Sequence, residues 1–216
     1  MQGAVWSSRT ECRNTISMRT SAKMSIVSAL LLLSWVARPQ TPTAPKHAPL
    51  YTQDGQLRLP ADYREWVYLT SGFDMSYNPD MKMDHSMFDN VFVNPEAWRA
   101  FQSTGKWPDK TVLVLELRRA EGKGSINQKG NFQAETMGVE LHVKDESRFS
   151  GKWAFFRFAG GNTTSKMVPL KEDCYSCHAQ HGAVDTTFVQ FYPTLKPIAQ
   201  QKGTLEAAYQ KTEGSR

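Results

Sequence analysis

Cysteine is scarce in this chain: 216 residues hold three. Cys12 falls in or before an N-terminal leader, so Cys174 and Cys177 alone are left to the folded part, which excludes a disulfide-rich scaffold. No apolar run reaches the roughly 20 residues that a membrane-spanning helix needs. The longest, Ile26–Ala37, contains Leu30-Leu31-Leu32-Leu33 and follows Arg19 and Lys23. About twelve apolar residues behind basic ones form an export-signal pattern, which leaves room for a short membrane anchor. A basic excess is also missing from the remainder. Of 26 basic and 21 acidic residues, residues 1–38 hold Arg9, Arg13, Arg19, Lys23 and Arg38 against Glu11, leaving 21 and 20. A nearly neutral domain offers no basic stripe, so nucleic-acid binding is excluded as a function class.

The leader, residues 1–38, predicts a periplasmic or otherwise extracytoplasmic protein. Residues 39–50 carry four prolines and few apolar groups, as an extended linker does. One domain is expected over 51–200, with a polar tail over 201–216. Pro60–Val67 suits a short helix with proline in its first turn, and Asn94-Pro95-Glu96 starts another that runs to about Gly105. Val91–Val93, Thr111–Leu117, Met137–Val143 and Trp153–Phe158 read as strands, and Gly122-Lys123-Gly124 and Gly160-Gly161 as turns between antiparallel neighbours. Pro169–His181 and Asp185–Tyr192 read as two helical pieces broken at Gly182. The fold class is α+β: a mainly antiparallel sheet with short helices and a C-terminal helical segment.

That segment carries the chemistry. Cys174-Tyr175-Ser176-Cys177-His178 has the spacing at which two thiols add to the vinyl groups of one haem while the next histidine reaches its iron. The thioethers would fix the macrocycle and His178 would be the metal ligand. A disulfide or redox-active Cys-x-x-Cys pair is the plainer alternative, but it needs no adjacent histidine. A zinc site would need a fourth ligand, for which His181 is the nearest candidate.

The other face of the iron decides the function, since two strong axial ligands make an electron carrier and an open position makes a binding or catalytic site. No methionine follows His178, Met167 being the last. The richest upstream source is Met75–Phe88, with Met75, Met81, Met83, His85 and Met87, which serve equally well as gap-filling core side chains. His142 alternates with strand residues, and His47 lies in the linker.

Cys174–Pro193, with Pro60–Val67, Val93–Trp98, Thr104–Asp109, Val139–Asp145 and Trp153–Phe155 in that order, resembles the cytochrome P-460 family over about residues 51–200. The resemblance implies an antiparallel β fold with helices, often dimeric, carrying one covalent, five-coordinate haem c. The enzymes that name the family oxidise hydroxylamine and cross-link a lysine to the haem. This chain has Leu115 at that lysine's position, so it is more similar to the cytochrome c-prime-beta branch, whose apolar pocket binds nitric oxide or carbon monoxide. Glu140 falls on the position of a distal carboxylate that would move protons from a bound substrate. The resemblance therefore implies a small diatomic or nitrogenous ligand, with a redox partner protein if the chain is an oxidoreductase or an electron carrier.

Overall fold

A computed structural model describes residues 44–76 and 84–213. Leader residues 1–38, as well as Met81 and Met83, lie outside the described residues. Strand β1 (Leu57–Arg58) leads to a 3-10 turn at Tyr63–Glu65 and then β2 (Val67–Phe73). β3 (Met87–Val93), helix α1 (Pro95–Thr104), β4 (Val112–Glu121), β5 (Phe132–Lys144), β6 (Trp153–Phe158) and β7 (Thr164–Ser165) follow. Helices α2 (Asp173–His181), α3 (Lys196–Lys202) and α4 (Ala207–Glu213) close the chain, with a 3-10 turn at Val189–Phe191 before α3.

β2 to β6 form one antiparallel sheet in sequential order, and β1 pairs with β7 in a second small sheet. The expected α+β class is what the structure shows. β4 lies at the centre, and its run Val112-Leu-Val-Leu-Glu-Leu117 is apolar on both sides because both faces are covered. Val112 and Val114 join Leu57, Tyr63, Trp66, Leu141 and Phe156 in a core on one face, while Leu113 packs with Val93, Phe101, Trp107, Ala183, Leu195 and Tyr209 on the other. Each such side chain withdrawn from water contributes about 1.5–3 kcal/mol before entropy is charged against it.

Three local expectations differ from the structure. Pro60–Val67 makes only a single 3-10 turn, because Val67 and the next six residues pair with β3; two-residue alternation there is weak, and tertiary pairing overrides local propensity. Asp185–Tyr192 forms a turn and a 3-10 segment rather than a helix. Residues 201–216 include helix α4, whose Tyr209 is buried. The helix after Asn94 is present and ends at Gly105 in the left-handed region. A side chain at Gly105 would meet Lys202 and Thr204 at 2.8 Å, so the glycine serves both the helix end and the close approach of the α3–α4 connection. Asn94 sits at the cap position, but its side chain accepts from the Val112 amide (2.9 Å) and so ties α1 to the sheet.

Candidate functional site

Cys174, Cys177 and His178 occupy positions i, i+3 and i+4 of helix α2, so they emerge from one helix face. All three line a cavity of about 610 Å3. The sheet supplies the other wall through three cross-strand rows: Leu113-His142-Phe155, Thr70-Val91-Leu115-Glu140-Arg157 and Gly72-Asp89-Leu117. Leu115 and Glu140, separated by 25 residues in sequence and read from sequence as pocket residues, are thus direct cross-strand neighbours in one cavity wall.

His178 is held on every side. Its Nδ1 donates to the Thr186 carbonyl at 2.8 Å, which fixes the tautomer and leaves Nε2 as the lone-pair donor. The ring stacks on Phe188 at a centroid distance of 4.1 Å and meets Phe155 edge-on at 4.6 Å and His142 at 4.9 Å. Burial lowers its pKa, against a smaller opposing effect of the Thr186 carbonyl, so the imidazole is neutral as a metal ligand must be. Burial likewise pushes the Cys177 thiol up, with Cys174 and Asp173 adding to the effect. Arg157 donates to Cys174 Sγ at 3.0 Å and pairs with Glu140 at 3.3 Å.

The carbonyl that holds His178 comes from an unfavourable backbone. Asp185 and Thr186 have φ values of 46° and 64°, a region where a β-branched residue is strained. Surrounding contacts enforce it. Lys144, only 7 % exposed, donates to Asp185 Oδ2 at 2.6 Å and to the Trp107 carbonyl at 2.9 Å. Trp107 Nε1 donates to Thr187 Oγ1 at 2.8 Å, and Thr187 donates to the Val184 carbonyl at 2.6 Å. At Gly182 a side chain would come within 2.7 Å of both the His178 carbonyl and the Thr186 backbone, so only glycine lets the loop fold back under the histidine.

The arrangement fits a covalently held haem on several independent observations. The donor set is two free thiols and one neutral imidazole on a single face. The cavity size lies in the range of small-molecule and cofactor sites. A buried polar atom in its wall, His142 Nε2, has no partner among the described residues, and an unsatisfied buried group of this kind calls for an occupant.

Other candidates are distributed differently. Met75 and Met87 line the same cavity, whereas His85 does not and keeps a buried Nε2 with no partner. His181 is exposed, and among the described residues no group of three or more His, Cys, Asp or Glu side chains is placed to hold a metal ion on its own. His47 bonds Glu96 at 3.0 Å and lies 3.5 Å from Asp62, fastening the linker's end to the domain. Arg118 and Arg119 pair with Glu116 and Glu135, away from the cavity.

Sequence reasoning missed Asp89, Trp107, Lys144, Arg157 and Thr186. Trp107 and Lys144 stand inside segments that carried the family resemblance, and their roles become visible only once the loop they brace is seen. Asp89 gives no signal in sequence, since it stands ahead of the strand read at Val91–Val93.

A haem-type cavity against an antiparallel sheet, opened by a Cys-x-x-Cys-His helix, defines a class of c-type haem protein. The family model for cytochrome P-460 matches residues 60–189, more than half of the chain, and the chain belongs to that family. It is a haem-binding cytochrome. No curated protein matches the chain.

Proposed function

We propose that this chain is an exported, extracytoplasmic cytochrome with one haem c, attached through Cys174 and Cys177 with His178 as its axial ligand, and that it binds a small ligand such as nitric oxide at the opposite position. When bound, the haem supplies an iron with one coordination position free for a neutral ligand. The carrying observation is the contrast inside one cavity: a neutral histidine with Nδ1 committed to Thr186, and a sheet wall in which Val91, Leu115 and Leu117 are apolar. Such a wall excludes water and favours small neutral molecules over polar ones. By the sequence resemblance, Leu115 falls at the lysine position of the family's hydroxylamine-oxidising members, and a leucine cannot form that cross-link.

Two other readings each have an observation behind them. Glu140 lines the cavity beside Leu115, as a proton acceptor in an oxidoreductase acting on hydroxylamine or a related nitrogen compound would. Met75 and Met87 also line it, and either would be a soft second axial ligand in an electron carrier. The three readings separate in one experiment on the haem-loaded protein. Its ferrous absorption spectrum is recorded before and after nitric oxide is added, and hydroxylamine is supplied with an artificial electron acceptor. A high-spin spectrum that shifts with nitric oxide, without turnover, is expected. Turnover that is lost in Glu140→Gln with haem retained would move the assignment to the enzyme. A low-spin spectrum unresponsive to nitric oxide would move it to electron transfer.

A further inference from the structure

One carboxylate in the sheet wall of the cavity lacks a partner among the described residues. Asp89 stands on β3, facing Gly72 on one side and Leu117 on the other in the sheet register, and lines the cavity. Among the described residues its side chain makes no hydrogen bond or ion pair. The two acidic groups that act on it are engaged: Glu140 pairs with Arg157 at 3.3 Å, and Asp74 accepts from the Met87 amide at 2.8 Å. The charged groups on the elements around it are Asp74 beyond β2, Arg119 on β4 paired with Glu135, Glu140 on β5, Arg157 on β6 and Asp173 on α2. Burial first, then the like charges of Asp74 and Glu140, push Asp89 up to about 6. Independently, His142 in the same wall keeps its buried Nε2 without a partner, which marks the cavity as built around an occupant.

We infer that Asp89 is the proton-holding group of this pocket: protonated, it donates a hydrogen bond to the outer atom of a small ligand bound in the cavity, and ionised, it withdraws that bond. Its neighbours in the wall, Val91 and Leu117, have no hydrogen to give, and an apolar surround strengthens a single polar contact. The ligands so favoured are small molecules whose free end carries a lone pair. Glu140, tied to Arg157 and with 37 % of its side chain exposed, is the weaker candidate for this role. The inference rests on the open-site reading given above.

The test uses carbon monoxide on the ferrous, haem-loaded protein and reads its C–O stretching frequency between about pH 4.5 and pH 8, a range that brackets an elevated carboxyl. Wild type is expected to change from one frequency to another, with a midpoint above the usual carboxylate range. Asp89→Asn, which keeps a donor at every pH, is expected to hold one frequency throughout. Asp89→Leu is expected to hold a different one. Glu140→Gln removes a like charge and is expected to move the midpoint to lower pH while keeping the transition. Carbon monoxide that binds with a pH-independent frequency, or a transition that survives in Asp89→Asn, would overturn the assignment of Asp89 and leave the open site standing. Failure to bind carbon monoxide at all would overturn the open site, and the role of Asp89 with it.

Discussion

The two walls of the cavity are built on opposite plans. Behind the helix side, the loop under His178 is braced by committed groups: His178 bonds Thr186, Lys144 reaches from the end of β5 to Asp185 and Trp107, and Trp107 bonds Thr187. On the sheet side Val91, Leu115 and Leu117 contribute no polar side-chain atoms, and Asp89 is left without a partner. A loop braced by several such bonds positions a group that must not move. A wall with few bonds leaves room for a molecule that comes and goes. The lesson is that attachment and ligand discrimination are separated in this fold, one assigned to a strained loop under a helix and the other to a plain strand face.

The comparison is broken most severely on the helix side. Replacing Cys174 and Cys177 together by serine should abolish covalent attachment, seen as loss of haem from the polypeptide on denaturation, while His178→Ala should remove the axial donor and leave a spectrum without the histidine-ligated form. Next in size is Lys144→Met, which strips partners from the Trp107 carbonyl and Asp185 together. Leaving such groups unsatisfied costs about 1–3 kcal/mol, which a thermal melt of the haem-loaded protein will register as a lower Tm. On the sheet side, Leu115→Gln should act on the ligand instead of the fold. Its effect on nitric oxide affinity is expected at up to about tenfold, or ~1.4 kcal/mol, with a smaller Tm change than Lys144→Met.

The smallest expected effect concerns Asp89. Its folded-state pKa, near 6, is above that of an unfolded aspartate, so the ionised form opposes folding at neutral pH and the penalty disappears as pH falls toward the unfolded value of about 3.9. Asp89→Asn should therefore melt higher than wild type at pH 7, and the gain should shrink as the pH falls through 6. A mutant that melts lower at pH 7 would place Asp89 among the structural groups.

The two walls also differed in how much the sequence disclosed. Cys174, Cys177 and His178 were legible because five contiguous residues suffice to state that chemistry, and the strands from Val91 to Phe158 were legible because apolar runs and turn residues are local. Of the pocket opposite only Leu115 and Glu140 were legible, through the family resemblance, because the rest is assembled by register: Asp89 meets Gly72 and Leu117 only when β2, β3 and β4 pair. Pro60–Val67 reads as a short helix for the same reason: only Tyr63–Glu65 make a turn, and Val67 opens β2, whose strand character comes from pairing with β3. Asp185–Tyr192 reads as a helical piece beyond the break at Gly182 because its left-handed residues, Asp185 and Thr186, are not glycines, and their conformation is imposed by Lys144 and Trp107 from distant strands and loops.

The central claim, a fixed histidine on one side and an open position on the other, is tested most directly by resonance Raman spectroscopy of the ferrous haem-loaded protein before any ligand is added. An iron–histidine stretching band with high-spin marker bands, lost in His178→Ala, is the predicted result. Low-spin marker bands with no iron–histidine stretch would mean that a second side chain fills the position, and would contradict the account.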